Sequence, residues 1–125
     1  GWSQLRRAES FAIVEAVLKK HADITAILAP NDPAAIWIAE FLEHKGRRIP
    51  ADISLVGYDD TDPLYNDLHE NMLTTVRTPL YEIGWQSAEL AIEHVSQDDA
   101  TPERVVQAAR LVVRTSTAAP PARRP

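Results

Sequence analysis

The chain has 125 residues, 45% hydrophobic and 25% charged, with 18 Asp and Glu against 13 Lys and Arg and a formal net charge of −5. That is the make-up of one ordinary domain, long enough to bury a core without staples. The absence of cysteine excludes a disulfide scaffold, a thiolate metal site and a cysteine nucleophile; the acidic balance argues against nucleic-acid binding by this segment itself; and no apolar run approaches the ~18–20 residues of a membrane span or the core of a leader peptide.

A helical pattern opens the chain from Ser3 to Lys20, with apolar Leu5, Ala8, Ala12, Ala16 and Val17. Thr25 to Ala29 is a short continuous apolar run, the pattern of a parallel strand covered on both faces. Asn31-Asp32-Pro33 starts a second helix, with Asp32 as the capping acceptor and Pro33 in the first turn, where its missing N–H costs nothing. Lys45 and Gly46 end it. A second buried strand is expected at Ile53 to Gly57, followed by a polar loop from Tyr58 to Met72, long enough to imply a functional role. After an extended Leu73 to Val76, Thr78-Pro79 caps a third helix whose apolar face runs Leu80, Ile83, Gly84, Ala88, Ala91, Ile92 and Val95. Strand-like Val105 to Gln107 and Leu111 to Val113 follow, and 118–125 has the composition of a disordered tail.

This alternation predicts an α/β fold with strands buried between helix layers, in which ligands bind beyond the carboxyl ends of the parallel strands. Both expected strands end in polar clusters, Asn31-Asp32 and Tyr58-Asp59-Asp60-Thr61-Asp62, which face one crevice if the strands are neighbours. Amides and carboxylates with nearby indole and phenol rings suit a polyhydroxylated ligand, which makes Asn31, Asp59, Tyr58 and Trp2 candidates. The competing reading is that Asn31 and Asp32 only cap a helix and Asp59-Asp60 only a turn. Trp37 and Trp85 fall on helices, where packing is the expected role. Asp60-x-Asp62 resembles the start of a calcium loop but lacks its glycine and terminal Glu, so no metal is expected. Histidines 21, 44, 69 and 94 form no local ligand pair, and no glycine-rich phosphate loop exists, so no cofactor is expected either.

Four segments together carry a family resemblance: Thr25 to Asp32, Ile49 to Asp60, Leu73 to Arg77, and Tyr81 to Gly84, with Leu111 to Ser116 closing the order. The chain resembles the C-terminal part of the effector domain of LacI/GalR-family transcriptional repressors. The resemblance implies a three-layer α/β/α, mostly parallel, periplasmic-binding-protein-like type I lobe spanning 1–117, with 78–108 belonging to the other lobe. It also implies a cytoplasmic, non-enzymatic homodimer that senses a small molecule, here a sugar, and reaches operator DNA only through an N-terminal domain outside this segment. Residue by residue, it puts Asn31 and Asp59 on effector hydroxyls and Trp2 on the pocket wall. Leu80 falls where some members place an aromatic ring, and the family's effector-gripping arginine falls upstream of Gly1. Dimer contacts are implied on Ala34 to His44, through Ala34, Ile38 and Phe41, and on Asp62 to Met72, through Leu64 and Leu68. A sugar-binding protein of a transport system is the alternative, and a glycosidase a more distant one.

Overall fold

The structure, a computed structural model, describes residues 2–95 and 104–120. Its elements are α1 (Trp2–Lys20), β1 (Ala26–Leu28), α2 (Asp32–His44), β2 (Ser54–Asp59), β3 (Thr74–Arg77), α3 (Leu80–Val95) and β4 (Arg110–Val112). The strands form one sheet in the order β1-β2-β3-β4. β1, β2 and β3 are parallel and β4 is antiparallel to β3. This is the mostly parallel α/β sheet that the sequence pattern predicts.

Alternation along the strands sorts the side chains into two faces. The face carrying Leu55, Gly57, Leu73 and Thr75 is buried beneath α2, whose Ala34, Ala35, Ile38, Ala39, Phe41 and Leu42 complete the core. Each of the fully buried Leu42, Ile53, Leu55 and Leu73 contributes about 1.5–3 kcal/mol by leaving water. α1 packs on α2 through an edge-on contact of Phe11 with Phe41 at 5.4 Å and through buried Val14. Two ion pairs join the same helices, Arg7 with Glu40 and Lys45 with Glu15.

The opposite face of the sheet carries Leu28, Tyr58 and Leu111, all exposed. β1 is therefore covered on one face only, and its Leu28 is 69% exposed. α3 buries none of its residues, so the apolar stripe read from Leu80 to Val95 has no cover among the described residues. Val105 to Gln107 does not form the expected strand. It lies along α3, with the Gln107 side-chain amide donating to Gln86. Ala118, placed by sequence at the start of a loose tail, exchanges hydrogen bonds with Ser54. Residues 121–125 of that segment lie outside the described residues.

Two buried polar side chains hold the sheet together. Asp32 is completely buried; its carboxyl group accepts from the Thr75 hydroxyl at 2.7 Å and from the backbone N–H groups of Thr61 and Asp62 at 2.8 and 3.4 Å. The side chain fits because β2 has no side chain beneath it: a Cβ on Gly57 would stand 2.3 Å from Asp32 Oδ1. Ser116, also fully buried, donates to the Leu55 carbonyl at 2.6 Å and accepts from the Thr74 N–H at 2.8 Å. It thus bridges β2 and β3 where their own ladder begins.

Gly57→Ala should lower the unfolding free energy by about 1–3 kcal/mol, because the added methyl must displace Asp32 or the β2 backbone. Ser116→Ala should cost about 1–3 kcal/mol by leaving a carbonyl and an N–H buried without a partner. Urea denaturation checks both, and an unchanged midpoint for either variant would contradict the assigned contact.

Candidate functional site

The ligand edge of a parallel sheet is built from whatever follows the strands. In register, Leu28 of β1 faces Val56 of β2, so Asn31 and Asp59 stand equally far along neighbouring strands. Asp59 in turn faces Arg77 of β3, and Thr78 follows immediately. Sequence spacing brings Asn31 and Asp59 to one edge, and the structure adds Thr78, whose hydroxyl donates to Asp59 Oδ1 at 3.4 Å.

Asn31, rather than Asp32, caps α2. Its backbone is extended, with φ −159° and ψ 171°, and its Oδ1 accepts from the Ala34 N–H at 2.9 Å. The reason is topological: Asp32 turns under the sheet to Thr75 and Thr61, so the preceding residue takes the capping position. The cap uses only the amide oxygen of Asn31, so its Nδ2 remains a donor available at the strand end. Asp59 offers the complementary acceptor.

The turn after β2 is conformationally costly. Asp59 and Asp60 have φ of 98° and 59°, a region that residues with a Cβ adopt only when the surroundings impose it. Asp60 points inward, its side chain 6% exposed, between Arg114 at 2.8 Å and Arg77. Burial alone would raise its pKa, but hydrogen bonds from the Arg114 and Arg77 guanidinium groups reverse that and hold the carboxyl below the usual carboxylate range. A carboxylate shared between two guanidinium groups is not available as a calcium ligand. Asp62 accepts from the Thr61 hydroxyl at 2.9 Å, a local turn contact.

Of the remaining sequence candidates, Tyr58 is 40% exposed on the uncovered sheet face and Leu80 is 51% exposed at the start of α3. The Trp2 side chain lies outside the described residues. Trp37 packs partly buried against the core, as its helical position suggested. Trp85 does not: it is 60% exposed and stacks on Tyr81 with ring centroids 6.3 Å apart. The implied dimer residues also divide. Ala34, Ile38 and Phe41 are buried in the chain's own core, because α2 turns that stripe toward α1 and the sheet, and so they are not surface for a partner. Leu64 is half-buried, while Leu68 is exposed on a loop tightened by Asn66, whose Oδ1 accepts from the N–H groups of Leu68 and Glu70.

Sequence reasoning left out Arg77, Arg114 and Thr78. The signal for the arginines was an Arg closing each of two strand-like runs, Thr74-Thr75-Val76-Arg77 and Val112-Val113-Arg114, while Thr78 was read only as the start of a helix. A cavity of about 460 Å³ lies away from this edge, between α3 and 104–107. It is lined by apolar Ile83, Leu90, Val105 and Val106 and by polar Gln86, Ser87, Gln107 and Arg104, and is the open flank of a helix none of whose residues is buried.

Residues 2–117 match the periplasmic binding protein-like domain family. The ribose operon repressor of Halalkalibacterium halodurans is 34% identical over 109 residues, covering 87% of this chain and 32% of the repressor. The structure of the transcriptional regulator CelR–cellobiose complex superposes with a TM-score of 0.77 at 28% identity, covering 88% of this chain and 33% of that one. The dimeric Lac repressor with an 11-residue C-terminal deletion gives a TM-score of 0.75 at 30% identity, covering 91% of this chain and 41% of that one. The chain thus spans between about a third and two-fifths of the length of these proteins. By the match over residues 2–117, it belongs to the periplasmic binding protein-like domain family.

Proposed function

We propose that this chain is the effector-sensing and dimerising part of a cytoplasmic transcriptional repressor, and that its effector is a sugar. The observation that carries the reading is the pairing of a donor, Asn31 Nδ2, with an acceptor, the Asp59 carboxylate, at adjacent strand ends. Hydroxyl groups both donate and accept, so a polyhydroxylated molecule satisfies the two at once. The relatives, among them a ribose operon repressor and a regulator in complex with cellobiose, favour a sugar regulator over a transport protein or a glycosidase.

Tyr58 and Leu80 flank this edge, and Trp2 is the proposed wall of the pocket. Residues 78–108 are the proposed contribution to a second lobe, reached through β3 and returned through β4, which accounts for an α3 with no buried face. Operator DNA is contacted by a part of the protein outside this chain, in keeping with the net charge of −5. The mechanism is differential binding: the sugar favours one orientation of the lobes and thereby changes the arrangement of the DNA-binding parts. Dimer contact is proposed at Leu64 and Leu68 on the loop after β2.

In the full-length protein that carries this chain, calorimetric titration with D-ribose and cellobiose should show binding that Asp59→Asn weakens about tenfold, the loss of one charged hydrogen bond. Asn31→Ser keeps an oxygen for the helix cap and removes the amide donor, so it should weaken sugar binding with little change in stability. Wild-type affinity in both variants would contradict the site. Leu68→Glu should raise the dimer dissociation constant about tenfold or more without unfolding the domain, since a single exposed leucine is replaced by a charge. Unchanged sedimentation would remove Leu68 from the interface.

A further inference from the structure

We propose that Arg77 and Arg114, acting through Asp60, are positioning residues that hold Asp59 at the ligand edge and tie it to both strands flanking the excursion 78–109. The inference rests on the reading of Asp59 as a ligand contact. It goes further by assigning the device that presents this side chain and links it to the chain on either side of α3.

The geometry of the three residues is asymmetric. Arg114 is fixed from several sides. Its N–H donates to the Thr74 hydroxyl at 2.8 Å, its carbonyl accepts from the same hydroxyl at 3.0 Å, and its Nη1 donates to the Leu73 carbonyl at 2.7 Å. Its Nη2 then reaches Asp60 Oδ1 at 2.8 Å. Arg77 is more exposed, 44% against 20% for Arg114, and grips the other oxygen, Oδ2. One carboxylate therefore bridges the multiply hydrogen-bonded Arg114 just past β4 and the more exposed Arg77 at the end of β3. Those strands bracket residues 78–109, whose α3 makes no buried contact of its own.

The same carboxylate controls Asp59. The Asp60 carboxyl group, 6% exposed between two cations, is directed inward from a residue whose backbone is turned to φ 59°, immediately after an Asp59 at φ 98°. Two successive non-glycine residues at positive φ have no reason to persist unless something outside the turn imposes it. The donors to Asp32 from Thr61 and Asp62 fix the far side of the turn, and the arginine pair fixes the near side. Stability is a weak explanation for the arrangement, since a buried pair repays its desolvation only when every partner is in place. Pre-organisation of a ligand group is a better one, because a contact held ready costs less ordering on binding.

The test is carried out on the full-length protein labelled with [15N]aspartate, comparing wild type with Arg77→Met, Arg77→Lys, Asp60→Asn and the double variant Asp60→Asn/Arg77→Met. Arg77→Met is the primary variant because Arg77 is the more exposed partner and its loss leaves the Arg114 contacts to Leu73 and Thr74 intact. The first readout is the three-bond amide–Hα coupling of Asp59, which follows φ, and the second is affinity for cellobiose and D-ribose. Arg77→Met should shift the Asp59 coupling toward its unstructured value and weaken sugar binding about tenfold, and Arg77→Lys should restore part of both. The double variant should bind no more weakly than Asp60→Asn alone, since residues acting as one unit are non-additive. An unchanged Asp59 coupling in Arg77→Met, or wild-type sugar affinity with only a lowered melting temperature, overturns the proposal and leaves an ion pair that merely stabilises. If wild type binds neither sugar, the sugar reading fails separately. The Asp59 coupling then decides alone whether the arginines position it.

Discussion

The arrangement depends first on one buried carboxyl group. Asp32 lies under the sheet with no exposed surface, and everything at the ligand edge is placed relative to it. Its acceptors bind β3 through Thr75 and the turn after β2 through Thr61 and Asp62. Its own backbone is the first turn of α2. A group of this kind would be expensive in an apolar interior unless its partners were all present. Because they are, three segments distant in sequence are held to one another by directional bonds and not by packing alone. The glycine at 57 is the necessary counterpart, since any side chain there would occupy the space that Asp32 fills.

From that anchor the chemistry of the edge follows in order. Asp32 points inward, so Asn31 becomes the helix cap and is left with one amide nitrogen facing the strand ends. The turn after β2 is pulled toward Asp32 on one side and toward Arg77 and Arg114 on the other. Asp59, between those constraints, lies at the end of β2 beside the strand that leads into Asn31, and its carboxylate accepts from the Thr78 hydroxyl. A donor and an acceptor are thus displayed at the ends of adjacent strands by the same bonds that hold the sheet, so in the proposed function recognition and folding share their residues. At the other end of the strands, Ser116 and Ala118 close the sheet by hydrogen bonds to Leu55, Thr74 and Ser54.

Much of this was legible in the residues. The β-branched and apolar runs marked β1 to β4 in order, Pro33 and Gly46 bounded α2, and the polar clusters after two strands marked the sheet edge on which the proposed site is built. What pattern reading could not supply was direction. It could not say which of Asn31 and Asp32 turns inward, because both are good capping residues and the choice is made by Thr75, far along the chain. It could not see that Asp60 points toward two arginines while Asp59 points away. It assigned Ala34, Ile38 and Phe41 to a partner, yet α1 covers that stripe from within the chain. Periodicity also marks an apolar face without naming its cover: the stripe on α3 was read correctly as apolar, and it stands open, as does Trp85. Val105 to Gln107 looked like a strand because its residues favour one, but a strand also needs a neighbouring edge, and that segment lies along a helix.

The central claim is that a sugar is read by the ends of β1 and β2. Mapping amide chemical shifts of the full-length protein during titration with cellobiose tests it most directly. The account predicts that the largest changes fall on Asn31, Asp59 and Thr78, with smaller ones at Arg77 and Thr61. Changes confined to Tyr81, Trp85 and the flank of α3, with Asn31 and Asp59 unmoved, would contradict it.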